Sequence, residues 1–250
     1  MIELHDISQT FGNFHALRGI NLTVQEGAVT CVLGDNGAGK STLIKILAGL
    51  NQPTGGTITV DGNEVRFDSP RDSLDAGIAT VYQDLALVPS LSVWRNFFLG
   101  QELTGALGGL REAEMKRITY DQLAEMGIVL GDVSVELSAL SGGQRQVVAI
   151  ARAIYFGARY IILDEPTAAL GVKQSGMVLR FINAARERGM GVVFITHNPQ
   201  HAYLVGDHFV VLTVGEMSLD ASKDEVTLPE LTQWMAGGDE LEELKQELAR

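Results

Sequence analysis

The sequence contains a single cysteine, no long apolar run and few basic residues, and each scarcity excludes a class of protein. Cys31 alone rules out a disulfide framework and a metal cluster built on thiolates, which fits a reducing compartment. The longest apolar stretches, such as residues 209–214, are far shorter than the roughly 20 residues that cross a bilayer. Residues 1–10 lack the basic and apolar regions of a signal peptide. We therefore expect a soluble chain that is not exported.

Charged residues are few, and acidic ones outnumber basic ones. Charged residues make up 20% of the sequence, and the net charge of −12 argues against binding to a nucleic-acid backbone. From Glu216 onward there are ten acidic and three basic residues, against 21 and 16 before it. The acidity is therefore concentrated in a C-terminal extension. Within it, residues 239–250 are predicted to form an amphipathic helix that packs on its own chain or on a partner.

The hydrophobic pattern that is present predicts an α/β protein. With 250 residues, 46% of them hydrophobic, the chain has enough material for a buried core in one large domain or two small ones. Short β-branched runs lie near longer amphipathic segments; the runs are residues 28–33, 78–82, 160–163 and 192–196. Because residues 160–163 are apolar throughout, they indicate an inner strand of a mostly parallel sheet covered on both faces.

Two further regions complete the predicted fold. Residues 1–65 alternate polar and apolar positions, with predicted turns at Gly55 and Gly56 and again at Asp61 and Gly62. This pattern predicts an antiparallel β patch beside the parallel sheet. Residues 92–153 have a helical pattern, with residues 111–126 as the longest amphipathic piece. The sequence therefore predicts a helical insertion in an α/β core.

Residues 34–41 carry the first motif with a chemical meaning. They read Gly-Asp-Asn-Gly-Ala-Gly-Lys-Ser, follow a predicted strand and lead into an apolar helical run, which is the context of a P-loop. Glycines let successive backbone N–H groups point inward, and the helix N-terminus adds positive potential for phosphate. Lys40 is expected to reach the β- and γ-phosphates, and Ser41 to bind Mg²⁺. The alternative is a glycine-rich turn that merely closes a strand-helix unit.

A pair of carboxylates ends the apolar strand at residues 160–163. Ligands of α/β sheets gather at the carboxyl ends of strands, so Asp164 and Glu165 should face the nucleotide. Asp164 is suited to the Mg²⁺ shell, and Glu165 to accepting a proton from an attacking water. The alternative is that both acids cap the turn at Pro166 and Thr167. Together with the cradle, they predict a P-loop nucleotide hydrolase.

Residues 140–144, Leu-Ser-Gly-Gly-Gln, narrow the class. Alone they could be a helix N-cap, but Ser141 lies 23 residues before Asp164, with the P-loop upstream and His197 downstream. This set resembles the ATP-binding cassette of ABC transporters over residues 1 to about 220. The resemblance implies an ATPase with a P-loop core in residues 1–88 and 154–215, a helical signature subdomain in 89–153, and an acidic extension in 216–250.

The resemblance also implies roles for individual residues. Phe11 matches the aromatic residue that stacks on adenine, although it could be a core aromatic. Gln83 matches the glutamine that contacts Mg²⁺ and water. His197 matches the histidine that binds the γ-phosphate, although alone it would be an ordinary strand-end histidine. The implied catalytic residues are Lys40, Gln83, Glu165 and His197. The implied metal ligands are Ser41, Gln83 and Asp164. The implied ATP-binding residues are Phe11, Gly34, Asp35, Asn36, Gly37, Ala38, Gly39, Lys40, Ser41, Thr42, Ser141, Gly142, Gly143 and Gln144.

Partners follow from the same resemblance. ATP would be sandwiched between the P-loop of one cassette and the signature of a second, so a dimer is expected. Residues 84–100, with Pro89 and Trp94, would meet a membrane permease, although Trp94 could instead be a core residue. A periplasmic or lipoprotein solute-binding protein would act indirectly. The chain would lie in the cytoplasm on the inner face of the membrane, and nucleic acid is not expected as a partner.

Two segments, residues 150–157 and 167–174, are similar to cassettes of bacterial carbohydrate importers of the ribose, fructose and xylose type. In most of the family the D-loop, which is the turn after the acid pair Asp164 and Glu165, ends in an aspartate. Gly171 stands at that position here, and a glycine is common there in this group. The resemblance therefore implies sugar import. The alternatives are a non-transport ABC ATPase that remodels nucleic acid or acts mechanically, and a regulatory protein that binds ATP without hydrolysing it.

Overall fold

A computed structural model describes residues 1–106 and 108–236. Its strands are β1 (Ile2–Phe11), β2 (Phe14–Val24), β3 (Val29–Leu33), β4 (Gly55–Val60), β5 (Asn63–Val65), β6 (Ile78–Val81), β7 (Tyr160–Asp164), β8 (Gly191–Thr196), β9 (His208–Thr213) and β10 (Glu216–Ser222). Its helices are α1 (Lys40–Leu47), α2 (Pro70–Asp75), α3 (Val93–Phe98), α4 (Glu112–Glu125), α5 (Gly142–Tyr155), α6 (Val172–Glu187), α7 (Pro199–Val205) and α8 (Leu228–Met235).

A six-stranded sheet forms the centre of the molecule, in the order β10-β9-β3-β8-β7-β6. All neighbours in it are parallel except the β9–β10 hairpin. Every residue of β3 and β8 is buried, because helices cover one face of the sheet, and α1 and the four-stranded sheet described below cover the other. The predicted inner strand is confirmed as β7, paired on one side with β6 and on the other with β8. Because these strands are parallel, the carboxyl ends of β3, β7 and β8 lie together at one end of the sheet.

The predicted antiparallel patch is confirmed as a four-stranded sheet in the order β2-β1-β4-β5. The predicted turn at Asp61 and Gly62 links β4 to β5, and both residues have positive φ. The predicted turn at Gly55 and Gly56 is wrong, because both residues lie in β4. Gly56 faces an irregularity in β1, where an added Cβ would lie 2.4 Å from the His5 and Asp6 carbonyl oxygens.

The predicted helical insertion contains α3, α4 and all but the last residues of α5. An aromatic cluster holds α3 to α5, with ring centroids 5.0–6.3 Å apart; its members are Phe97, Phe98, Tyr155 and Phe156. Trp94 is 4% exposed and belongs to this core, so the core alternative for it is confirmed and its placement on a partner-facing surface is wrong. Arg95 and Lys116 lie over its ring.

The C-terminal part of the described chain belongs largely to the main sheet. β10, which starts at residue 216, pairs antiparallel with β9, so the boundary expected there falls inside a hairpin. α8 follows and begins at a capping box between Thr227 and Glu230. The helix predicted over residues 239–250 lies outside the described residues. In the two described stretches, no helix has the length and apolar character to cross a membrane.

Candidate functional site

The turn between β3 and α1 has the backbone of an anion cradle. Gly34 and Gly39 have φ values of 144° and 107°, a region that favours glycine. An added Cβ at Gly34 would lie 2.3 Å from the Leu212 carbonyl oxygen, and one at Gly39 would lie 2.8 Å from the Ala16 carbonyl oxygen. α1 begins directly after this turn without a side-chain capping bond. Its first N–H groups are therefore left for an external acceptor.

Lys40 is anchored in the mouth of the cradle. Its Nζ donates hydrogen bonds to the carbonyl oxygens of Gly34, at 2.5 Å, and Asp35, at 2.9 Å. Burial lowers the pKa of Lys40, and the carboxylates of Glu165, Asp35 and Asp164 act in the opposite direction. The ammonium group is thus preorganised by the loop's own carbonyls, next to the position where the motif predicts phosphate.

Of the two acids predicted to share this site, Asp164 is the last residue of β7 and Glu165 follows it directly. Burial, and then the charge of Glu165, raise the pKa of Asp164, while Lys40 lowers it. Glu165 has a positive φ of 47°, which is uncommon for a residue other than glycine. Its backbone N–H donates to the carbonyl oxygen of Ile195 on β8. The acid pair is therefore fixed by the sheet rather than by a free loop.

Glu165 and His197 form a hydrogen-bonded pair across the ends of β7 and β8. The His197 Nδ1 lies 2.9 Å from Oε1 of Glu165, while Oε2 of Glu165 is buried without a hydrogen-bond partner. A buried carboxylate oxygen without a donor is costly unless a ligand or water satisfies it. This geometry leaves one oxygen of Glu165 free to accept a proton.

The signature residues form a different kind of helix start. Ser141 Oγ accepts the backbone N–H of Gln144, and the side-chain oxygen of Gln144 accepts the backbone N–H of Ser141. This capping box confirms the helix N-cap interpretation of the pentapeptide. No hydrogen bond among the described residues joins residues 141–144 to the cradle at 34–42. Within one chain, the structure does not assemble these two motifs into one site.

Phe11 and Gln83, both predicted to contact the nucleotide or its metal ion, have exposed side chains. Phe11 is 49% exposed at the end of β1, so its core alternative is wrong. Its partner in register across the hairpin is Phe14, another exposed aromatic residue, which sequence reasoning did not single out. Gln83 is exposed two residues after β6. Both predicted residues are therefore free to meet a ligand.

Sequence reasoning also missed a hydrogen bond behind the acid pair. Nδ1 of His201 lies 3.0 Å from Oγ1 of Thr167, which is 6% exposed. Burial, and then the nearby His197, lower the pKa of His201, so its neutral form is favoured. The spacing of His197 and His201 places the second histidine in the first turn of α7, but it does not indicate Thr167 as its partner.

A glycine-rich cradle after β3, an acid pair at the end of β7 and a histidine after β8 together define a P-loop nucleotide hydrolase. Comparison with protein families narrows this class, since the ABC transporter family profile matches residues 17–168. The chain belongs to the ABC transporter ATP-binding family.

Similar proteins agree with this assignment. The xylose/arabinose import ATP-binding protein XylG of Sulfolobus acidocaldarius is 41% identical, over 94% of this chain and 93% of the relative. The fructose import ATP-binding protein FrcA of Rhizobium meliloti is 39% identical, over 92% and 91%. A dimeric ATP-binding cassette solved with ADP and Pi matches with a TM-score of 0.74 and 28% identity, over 89% of this chain and 99% of the other.

Proposed function

We propose that this chain binds and hydrolyses ATP as the nucleotide-binding subunit of an ABC transporter that imports a sugar. The observation that carries the proposal is the Glu165 carboxylate, held by His197 through one oxygen and buried without a partner at the other. This arrangement suits a general base that takes a proton from the attacking water.

The cradle accounts for binding of the triphosphate. Its backbone N–H groups and the start of α1 offer donors and positive potential to phosphate oxygens. Lys40 would move its hydrogen bonds from the loop carbonyls to the β- and γ-phosphates, where the pairing of opposite charges is stronger. Phe11, exposed at the hairpin end, would stack on the adenine base.

The three residues predicted to bind magnesium carry the oxygen donors that this ion prefers. Ser41 offers a hydroxyl, Asp164 a carboxylate and Gln83 an amide oxygen, and Mg²⁺ prefers such oxygen ligands together with phosphate oxygens. Burial raises the pKa of Asp164 because it disfavours the charged carboxylate. A cation bound nearby would favour the charged form again. When bound, Mg²⁺ supplies charge neutralisation at the β- and γ-phosphates.

Hydrolysis requires few protein groups at the reacting atoms. The water oxygen forms a bond to the γ-phosphorus as the bond from the γ-phosphorus to the β–γ bridging oxygen breaks, and Glu165 accepts the water proton. His197 lies beside Glu165 and would donate a hydrogen bond to the γ-phosphate. ADP and phosphate are the products.

A second copy of the chain would complete the site. The signature residues do not join the cradle of their own chain, whereas the partly exposed Ser141 hydroxyl and Gly142 N–H at the start of α5 would donate to the ATP of another copy. Donors aligned in advance with the γ-phosphate stabilise the charge that develops during transfer. Two identical chains related by a two-fold axis would form two such sites.

The membrane permease would bind at a groove beside the edge strand β6. This groove has a volume of about 440 Å³, and its walls include Tyr82, Leu85, Gln101, Arg152 and Phe156. The segment after β6 carries Gln83, so occupation of the groove would be sensed next to the nucleotide. A permease at this position would hold the chain on the inner face of the membrane, with a solute-binding protein acting on the other side.

Sugar is proposed as the solute because the relatives named above import xylose, arabinose or fructose. The test is uptake of labelled pentoses and hexoses by cells whose copy of the gene is disrupted. We expect uptake of one sugar to fall and to return with the wild-type gene but not with Glu165→Gln. Unchanged uptake, with hydrolysis stimulated by DNA, would favour the non-transport alternative.

A further inference from the structure

We propose that His201 is a positioning residue that supports the signature loop of its own chain and thereby acts on the ATP bound to the partner copy. The inference rests on the two-copy site proposed above. It begins from the hydrogen bond between Nδ1 of His201 and the buried hydroxyl of Thr167, at 3.0 Å. Neither residue belongs to the cradle, the acid pair or the signature.

Thr167 starts the turn that leads to α6. The turn is tight: the Leu170 N–H donates to the Thr167 carbonyl oxygen, at 3.4 Å, and Ala169 has a positive φ of 56°. A non-glycine residue in that region is strained, and such strain persists only where surrounding contacts hold it. The His201–Thr167 hydrogen bond is one of these contacts, because it ties the first residue of the turn to the start of α7.

The same turn carries the residues on which the signature glycines rest. An added Cβ at Gly142 would lie 3.0 Å from Cδ2 of Leu170, and one at Gly143 would lie 3.1 Å from Cβ of Gln174. Gln174 also accepts the Gly171 backbone N–H, which fixes the start of α6. The start of α5 is therefore packed directly on this turn and the first turn of α6, so closely that an added Cβ at either glycine would require a neighbouring side chain to shift.

These contacts form one continuous path from α7 to the signature. His201 holds Thr167, the turn after Thr167 positions Leu170 and Gln174, and these two side chains support Gly142 and Gly143. A small shift in the turn would move the signature donors by a similar amount. Hydrogen bonds to a transition state weaken steeply with misplacement, so the effect should appear in turnover.

His201→Phe keeps a ring but removes the hydrogen bond, and Thr167→Val keeps the shape but removes the hydroxyl. We expect each to lower kcat about 3- to 10-fold, the value of one neutral hydrogen bond, with the Kd for ATP unchanged. The double variant should lose no more than either single one, since both remove the same contact. His201→Asn, which retains a polar atom near Nδ1, and Thr167→Ser should retain most of the wild-type kcat.

Mixed dimers separate action on the partner's ATP from action on the chain's own. When Lys40→Ala chains are mixed with Ser141→Ala chains, each heterodimer keeps one complete site, with its cradle from the Ser141→Ala chain and its signature from the Lys40→Ala chain. We expect His201→Phe to lower phosphate release when it is added to the Lys40→Ala chain. Added to the Ser141→Ala chain, it should have little effect.

Two results would overturn the inference. In the first, phosphate release falls only when His201→Phe is on the chain that supplies the cradle. In the second, phosphate release falls in neither arrangement. Additive losses in the double variant would also count against it. The proposed function fails differently, because then the mixture of Lys40→Ala and Ser141→Ala would show no recovery of hydrolysis even with His201 intact.

Discussion

The starts of α1 and α5 both follow glycine-rich motifs, yet their N-termini are completed in opposite ways. α1 begins after Gly39 without any side-chain cap. α5 begins after Ser141, whose hydroxyl and backbone N–H are both paired with Gln144. The first helix start leaves its N–H groups to an external anion, whereas the second is stable before any ligand arrives.

In the two-copy site proposed above, this difference divides the work between two chains. A side-chain cap stabilises a helix by about 0.5–2 kcal/mol, so an uncapped start next to Lys40 is suited to a ligand that takes the place of the cap. The capped start of α5 holds its shape on Leu170 and Gln174 without nucleotide. ATP would therefore bind first to the cradle, and the signature of the partner would close on it.

The largest expected effect concerns the chemistry rather than either helix start. Glu165→Gln removes the general base but keeps the shape of the side chain, so turnover should fall on the order of 10²- to 10⁴-fold. ATP affinity should be retained, because the cradle is unchanged. Phosphate release and titration of a fluorescent ATP analogue check the two parts. Near-normal turnover would contradict the assignment of Glu165.

The next prediction removes the charge at the uncapped start. Lys40→Ala should weaken ATP binding about 10- to 100-fold, the value of charge-assisted hydrogen bonds to phosphate. Lys45→Ala is the matched control, since Lys45 lies on the same helix and is exposed to solvent. Equilibrium titration of the two variants measures the difference. Equal affinity for both would show that α1 is not the phosphate site.

A smaller effect is expected at the capped start. Ser141→Ala removes one neutral donor to the partner's ATP, so turnover should fall about 5- to 10-fold while ATP binding by the single chain stays the same. Ser138→Ala, at an exposed serine three residues earlier, serves as control. A weaker Kd for ATP in dilute Ser141→Ala protein would contradict the division between the two helix starts.

The smallest effect concerns a third helix start, that of α6. Gly171 is its N-cap, with an ordinary φ of −72° and open space around an added Cβ, so the backbone does not require glycine there. Aspartate is a slightly better N-cap than glycine, and Gly171→Asp should raise Tm by about 1 °C. Gly143→Ala should lower Tm instead, because its Cβ would press on Gln174. A large decrease in the Tm of Gly171→Asp, measured by calorimetry, would refute this account of the turn.

Some features could be predicted from the sequence because they depend on neighbours along the chain. Residues 160–163 of β7 are apolar throughout since both faces of the sheet are covered, and the cradle needs glycines at fixed spacing. Other features depend on contacts between distant segments. Gly56 is required by the irregularity in β1, and the partner of His201 is Thr167, 34 residues away. No local pattern reports such contacts, so the turn expected at Gly56 was wrong and the support behind the acid pair was missed.

The central claim is that each ATP site is built from the cradle of one chain and the signature of another. The most direct test is to mix Lys40→Ala chains with Ser141→Ala chains and to measure phosphate release over a range of mixing ratios. The account predicts that the mixture is more active than either variant alone, with a maximum near equal amounts, because heterodimers contain one complete site. Activity that follows the weighted mean of the two variants at every ratio would contradict it.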